Sequence, residues 1–82
     1  MVKIHPHARK RLIERGATEQ EVIATIEKGE KFPAKFGRTG FRQNFNFNDT
    51  WREKHYSTKQ VEVFAVYESN DWIVITVITR YY

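Results

Sequence analysis

The period of apolar positions changes partway along this 82-residue chain. Between Pro6 and Gly29 apolar side chains recur three and four residues apart. From Phe41 onward they alternate or run continuously. Helical spacing marks one buried stripe, whereas alternation marks a strand with one covered face. The order predicts helices first and strands after.

The first helix is expected from Pro6 to Arg15. Proline suits the first helical turn, and Gly16 is a common stop. Its apolar side is only Ala8, Leu12 and Ile13, so the helix lies on the surface with a narrow stripe inward. Residues 2–4 are too few to show a period and read as a short edge strand or an ordered lead-in. Gly16-Ala17 turns the chain into a second helix. Thr18-Glu19-Gln20-Glu21 has the capping-box pattern, Val22, Ile23 and Ile26 form the stripe, and Lys28 and Gly29 mark the end. This helix reads as a cover for the core, without chemistry of its own.

The pattern breaks between Gly29 and Gly40. Phe32, Pro33 and Phe36 fit an irregular strand, and Gly37-Arg38-Thr39-Gly40 fits a turn. Phe41 to Asn48 then alternates. Phe41, Gln43, Phe45 and Phe47 should face the helices, with Arg42, Asn44, Asn46 and Asn48 on the other side. Asn48-Asp49-Thr50 is turn chemistry. Trp51 to Ser57 reads as a loop or an edge strand. Val61 to Tyr67 and Trp72 to Thr79 are strands joined by Glu68-Ser69-Asn70-Asp71, a hairpin. The last strand is almost wholly apolar and β-branched, which places it in the middle of the sheet. The expected architecture is one α+β domain over residues 1–82: two N-terminal helices packed on one face of an antiparallel sheet of about four strands, the other face open.

Composition narrows the compartment and the partners. The absence of cysteine rules out disulfides and cysteine-based metal sites. His5, His7 and His55 fit no standard ligand spacing, so neither a metal nor a cofactor is expected. The start lacks the apolar run of a signal peptide, and no stretch approaches the ~20 apolar residues that span a bilayer. A soluble cytoplasmic protein without membrane contact is expected. The net charge of +4 is uneven: residues 1–60 carry 13 basic and 7 acidic side chains, residues 61–82 carry 1 and 3. A basic balance favours RNA, DNA or an acidic protein as partner.

The candidate chemistry lies mostly in that basic part. His7 and Arg11 are four apart and share one helical face, with Glu14 and Arg15 next along it. Such a ridge can be an RNA-cleaving site, a phosphate-binding ridge or a solvated face. Arg38 sits between two glycines, and Arg42 shares its strand face with asparagines. Arg52, Lys54, His55 and Lys59 are interleaved with Trp51 and Tyr56, charge for phosphate beside rings for bases. A solvated hairpin end has the same pattern.

His7-Ala8-x-x-Arg11-x-x-x-Arg15-Gly16, followed by a helix with Glu19-Gln20-Glu21-Val22 and a strand ending Val74-Ile75-Thr76-Val77, resembles the domain-of-unknown-function family 4258. That group is similar in layout to RelE-type toxin ribonucleases and, more remotely, to barnase and colicin nucleases. The resemblance implies a ribonuclease-like α+β fold whose open sheet face holds the substrate. It carries catalytic roles onto His7, Arg11, Arg15 and Thr76. The chain departs from the family pattern between Phe36 and Lys59, which is longer and richer in asparagine and aromatics. RNA cleavage without metal needs a base for the ribose 2′-OH, cations for the phosphorane and an acid for the leaving oxygen. Imidazole exchanges protons near neutral pH, and guanidinium matches phosphate in a bidentate way. Three functions follow as expectations: a toxin-type ribonuclease acting on RNA and held by a cognate antitoxin, a non-catalytic RNA- or DNA-binding module, or a protein-interaction domain.

Overall fold

A computed structural model describes residues 1–82. The chain opens with a strand. β1 is Val2–Ile4, α1 Pro6–Glu14, α2 Glu19–Lys28, β2 Glu30–Pro33, β3 Thr39–Trp51, β4 Lys54–Glu68 and β5 Asp71–Tyr81. The fold is α+β, with five strands in the order β1-β5-β4-β3-β2. The sheet is mixed, which corrects the expectation of about four antiparallel strands. β1 runs parallel to β5, pairing Val2, Lys3 and Ile4 with Trp72, Ile73 and Val74. The other three pairings are antiparallel. Three residues cannot display a period, and their partner lies some seventy positions away. Local pattern was therefore silent on β1.

Two further expectations change. β4, not β5, is the central strand. β5 is flanked by β4 along its length but by β1 over only three residues. Its continuous apolar run has another cause. A bulge between Phe64 and Ala65 leaves Ile75 without a register partner, and it puts both Val74 and Val77 into the core. The turn expected at Asn48–Thr50 is a second irregularity within the β3–β4 ladder, between Asn46 and Asp49. The hairpin closes at Arg52 and Glu53, where Trp51 pairs with Lys54. Likewise Phe36 and Gly37 hold the left-handed conformation in the earlier turn, while Thr39 and Gly40 already belong to β3.

Both helices cover one face. Ala8, Leu12, Ala17, Val22 and Ile26 meet Phe41, Val61, Val63, Ala65, Val74 and Val77 in a single core. Phe41 is buried and Phe45 packs against that core, as the alternation of β3 predicts. Ile13 is 71% exposed and Ile23 38%, so neither belongs to the inward stripe. In α2 the inward position falls to Thr25, fully buried, whose hydroxyl donates to the Glu21 carbonyl at 2.7 Å. Such a bond back to the preceding turn lets a polar side chain enter a core without an orphaned donor.

The uncovered face carries Phe32, Phe64, Thr76, Arg42 and Glu62. Glu62 is only 6% exposed and pairs with Arg42 at 2.7 Å and Arg80 at 2.9 Å. Arg42 also reaches Glu30 at 3.1 Å and lies 4.6 Å from the Phe32 ring centre. Burial raises the Glu62 pKa, but hydrogen bonds and charge from Arg80 and Arg42 outweigh it and hold the carboxyl below its ordinary value.

Candidate functional site

α1 begins at Pro6, capped by His5, whose Nδ1 accepts the His7 backbone N–H at 3.1 Å. Burial of Ala8 and Leu12 sets the rotation of the helix. The positions three and four apart on the other side then point outward. His7, Lys10, Arg11 and Glu14 line one depression of about 160 Å³ there. All four are exposed. Arg11 stands 3.9 Å from Glu14, and the His5 and His7 rings approach edge to face at 6.4 Å. The depression thus combines one imidazole, two cations and one carboxylate. Lys10 escaped sequence reasoning, although its spacing of three from His7 was the available signal.

Arg15 belongs to a different place. It follows the last helical residue and is fastened to β5 three times. Its carbonyl accepts the Thr79 hydroxyl at 2.9 Å and the Tyr81 hydroxyl at 2.7 Å, and its guanidinium donates to the Val77 carbonyl. That carbonyl lies where β5 has lost its β1 neighbour, so Arg15 also closes an exposed strand edge. Gly16 follows with φ of 75°, and a Cβ there would stand 2.6 Å from both the Trp51 ring and the Tyr81 oxygen. Only glycine fits.

The aromatic end of the long hairpin rests on this corner. Trp51 stacks on Tyr81 with ring centres 5.0 Å apart and planes 15° apart. Phe47 and Tyr56 lie against Tyr81 at 5.2 and 5.6 Å. Burial pushes the Tyr81 pKa above its ordinary value. Arg15, Trp51, Arg52, Thr79 and Tyr81 line a depression of about 200 Å³, with the Arg52 guanidinium 5.3 Å from the Trp51 ring centre. Trp51 had a sequence signal among its basic neighbours. Tyr81 and Thr79 had none, because Gly16 and Tyr81 meet only through the fold.

Thr76 faces away from both places. Val77 points into the helix-side core. Its neighbour Thr76 therefore points to the uncovered face. There it lines a depression of about 260 Å³ with Ala34, Lys35, Phe36, Arg38 and Phe64. The sheet thus separates Thr76 from His7 and Arg11, and the four positions assigned catalytic roles by resemblance occupy three locations. The expected nucleic-acid contacts divide as well. Arg52, Lys54 and His55 are exposed at the hairpin end, with the Lys54 amine 5.6 Å from the Tyr56 ring centre. Arg38 stands on the uncovered face and Arg42 is engaged with two carboxylates. Lys59 is 5% exposed, pairs with Glu21 at 2.9 Å and donates to the Gly16 carbonyl at 2.8 Å. It braces the corner from inside the molecule. No group of three or more histidine, cysteine or acidic side chains converges as a metal site, and no helix is long and apolar enough to cross a membrane.

Fold and surface together define a small α+β domain with a basic helix ridge and an aromatic, arginine-bearing hairpin end. The chain belongs to the family described as domain of unknown function DUF4258, whose model matches residues 4–79. Neither the comparison with curated proteins nor that with solved structures gave a match.

Proposed function

We propose that this protein is an endoribonuclease of the RelE-like toxin type that cleaves RNA by attack of the ribose 2′-OH, using side-chain groups of α1. The observation that carries the reading is the single depression lined by His7, Lys10, Arg11 and Glu14. Glu14 takes the 2′-OH proton as the O2′–P bond forms. Arg11 and Lys10, between the two ends of the depression, hold the phosphate as it gains charge. His7 gives a proton to the departing O5′ as the P–O5′ bond breaks. The products are a 2′,3′-cyclic phosphate and a 5′-hydroxyl. Guanidinium and ammonium aimed at the phosphorane supply the electrostatic part, and proton transfer the rest. On this reading the protein works in the cytoplasm, and its cognate antitoxin is a protein whose acidic surface covers the ridge.

The test is incubation of purified protein with mixed-sequence RNA in EDTA, with His7→Ala alongside. Cyclic-phosphate ends are expected from the wild type. The variant should cleave about 10²- to 10⁴-fold more slowly, with an unchanged melting temperature because His7 is exposed. Equal rates would remove His7 from the mechanism. RNA bound in a salt-dependent way but left intact by the wild type would make the protein a non-catalytic binding module. No affinity at moderate salt would leave the protein-interaction reading.

A further inference from the structure

We infer that the depression formed by Arg15, Trp51, Arg52, Thr79 and Tyr81 is a nucleotide subsite, and that the substrate is therefore single-stranded RNA entering over the hairpin end toward α1. The inference rests on the RNA reading above but on different residues.

Three observations converge. The lining combines two guanidiniums with an indole and a phenol. A base needs a flat ring to stack on, and its phosphate needs a cation within a nucleotide's reach. Tyr81 is stacked on the indole and anchored to the Arg15 carbonyl. The Trp51 ring is thus held as a platform without an entropic cost on binding. Arg52 lies over that ring from an exposed position. Its guanidinium can yield the ring to a base and turn to the adjoining phosphate.

The second observation is the backbone that presents Arg52. Arg52 and Glu53 both have positive φ, 51° and 71°. A two-residue hairpin of this kind favours asparagine and glycine, and side chains such as these hold it at a cost. Strain of this kind collects where a side chain has a task. Here it sets a guanidinium against the tryptophan.

The third is continuity. Arg15 lines this depression and lies four residues beyond Arg11, itself four beyond His7. Four helical residues advance about 6 Å, the order of one nucleotide step in an extended strand. The two separate depressions thus follow one another along α1 and the residue after it, a track that one extended strand can follow. The nearby Glu21 does not close it, because it is already paired with Lys59. A duplex hides its base faces within its own stack and offers Trp51 nothing, so the track selects unpaired strands.

The experiment uses a 2′-O-methyl RNA hexamer, which has no free 2′-OH and stays intact, and follows tryptophan fluorescence and affinity. Quenching is expected in the wild type and in Trp72→Phe, and its loss in Trp51→Leu with affinity about 5- to 150-fold lower. The double variant Arg52→Asn/Glu53→Gly guards against a folding artefact. It should melt at a higher temperature than the wild type, yet bind the hexamer more weakly. Lys28→Ala, exposed at the end of α2 and outside both depressions, should bind as the wild type does. Failure of the hexamer to bind, equal affinity for the same sequence as a duplex, or unchanged affinity in both hairpin variants would overturn the subsite. If those hairpin variants still cleave RNA normally, the ribonuclease reading stands without it. If His7→Ala cleaves normally while the hairpin variants lose binding, the subsite stands and the α1 mechanism falls.

Discussion

The two helices sit side by side on one face of the sheet but are held there by opposite means. α2 is secured by its own sequence. Thr18 Oγ1 accepts the Glu21 N–H at 3.1 Å and Glu21 returns the bond to the Thr18 N–H at 2.9 Å. Val22, Thr25 and Ile26 are buried. α1 has nine residues, no acidic group in its first turn and only Ala8 and Leu12 buried. Neither helix is long enough to persist alone in water, and α1 lacks the capping box of α2. It is held at its far end, by the three hydrogen bonds of Arg15 to β5 and by Gly16 beneath Trp51 and Tyr81. Tertiary anchoring at one end frees the outward face of α1 from any structural duty. A cluster such as His7, Lys10, Arg11 and Glu14 can then sit there with its protons and charges uncommitted to the core.

The largest effect that would break this comparison is expected at the anchor. Gly16→Ala adds a Cβ where Trp51 and Tyr81 already stand and demands a left-handed conformation from alanine. Adding about 1–2 kcal/mol for the backbone to about 1–3 kcal/mol for the overlap gives a loss of about 2–5 kcal/mol. Urea unfolding would measure it, and hydrogen exchange should show α1 opening before α2. A loss below about 0.5 kcal/mol would mean that α1 does not depend on this corner. A smaller effect separates the two caps. Thr18→Ala should cost about 1 kcal/mol. His5→Ala removes an exposed bond of the less capped helix and should cost no more than a few tenths. Equal losses would erase the distinction between the helices.

The smallest effect concerns the face that neither helix covers. The folded pKa of Glu62 is lowered, so its pairing with Arg42 and Arg80 contributes stability that is complete above the ordinary carboxylate range. That contribution is lost as pH falls through the lowered value. Denaturation curves from pH 7 down to 3 should decline more gently in Glu62→Gln than in the wild type. Parallel curves would show that the network contributes nothing to the acid limb.

Local pattern revealed both helices, the capping box, the inward side of β3 and the β4–β5 hairpin, because each rests on contacts within a few residues or on a period of two or 3.6. It failed where the cause was distant or interrupted. The bulge at Ile75 hid behind a run of apolar residues, and the positive φ at Arg52 and Glu53 carried no asparagine or glycine to announce it. Basic character misled at Lys59, since a buried lysine and a phosphate-binding one look alike until Glu21 is seen beside it.

By itself the sequence determined that α1 presents His7 and Arg11 on one face, because helical geometry places residues four apart in line whatever surrounds them. Only the tertiary structure decided what that face belongs to. It put Thr76 on the far side of the sheet, turned Arg15 into a clamp on β5, and brought Trp51, Arg52 and Tyr81 to the end of the ridge. Those placements follow from contacts between separate segments, the Arg15 bond to the Val77 carbonyl spanning 62 residues, and no local spacing encodes them.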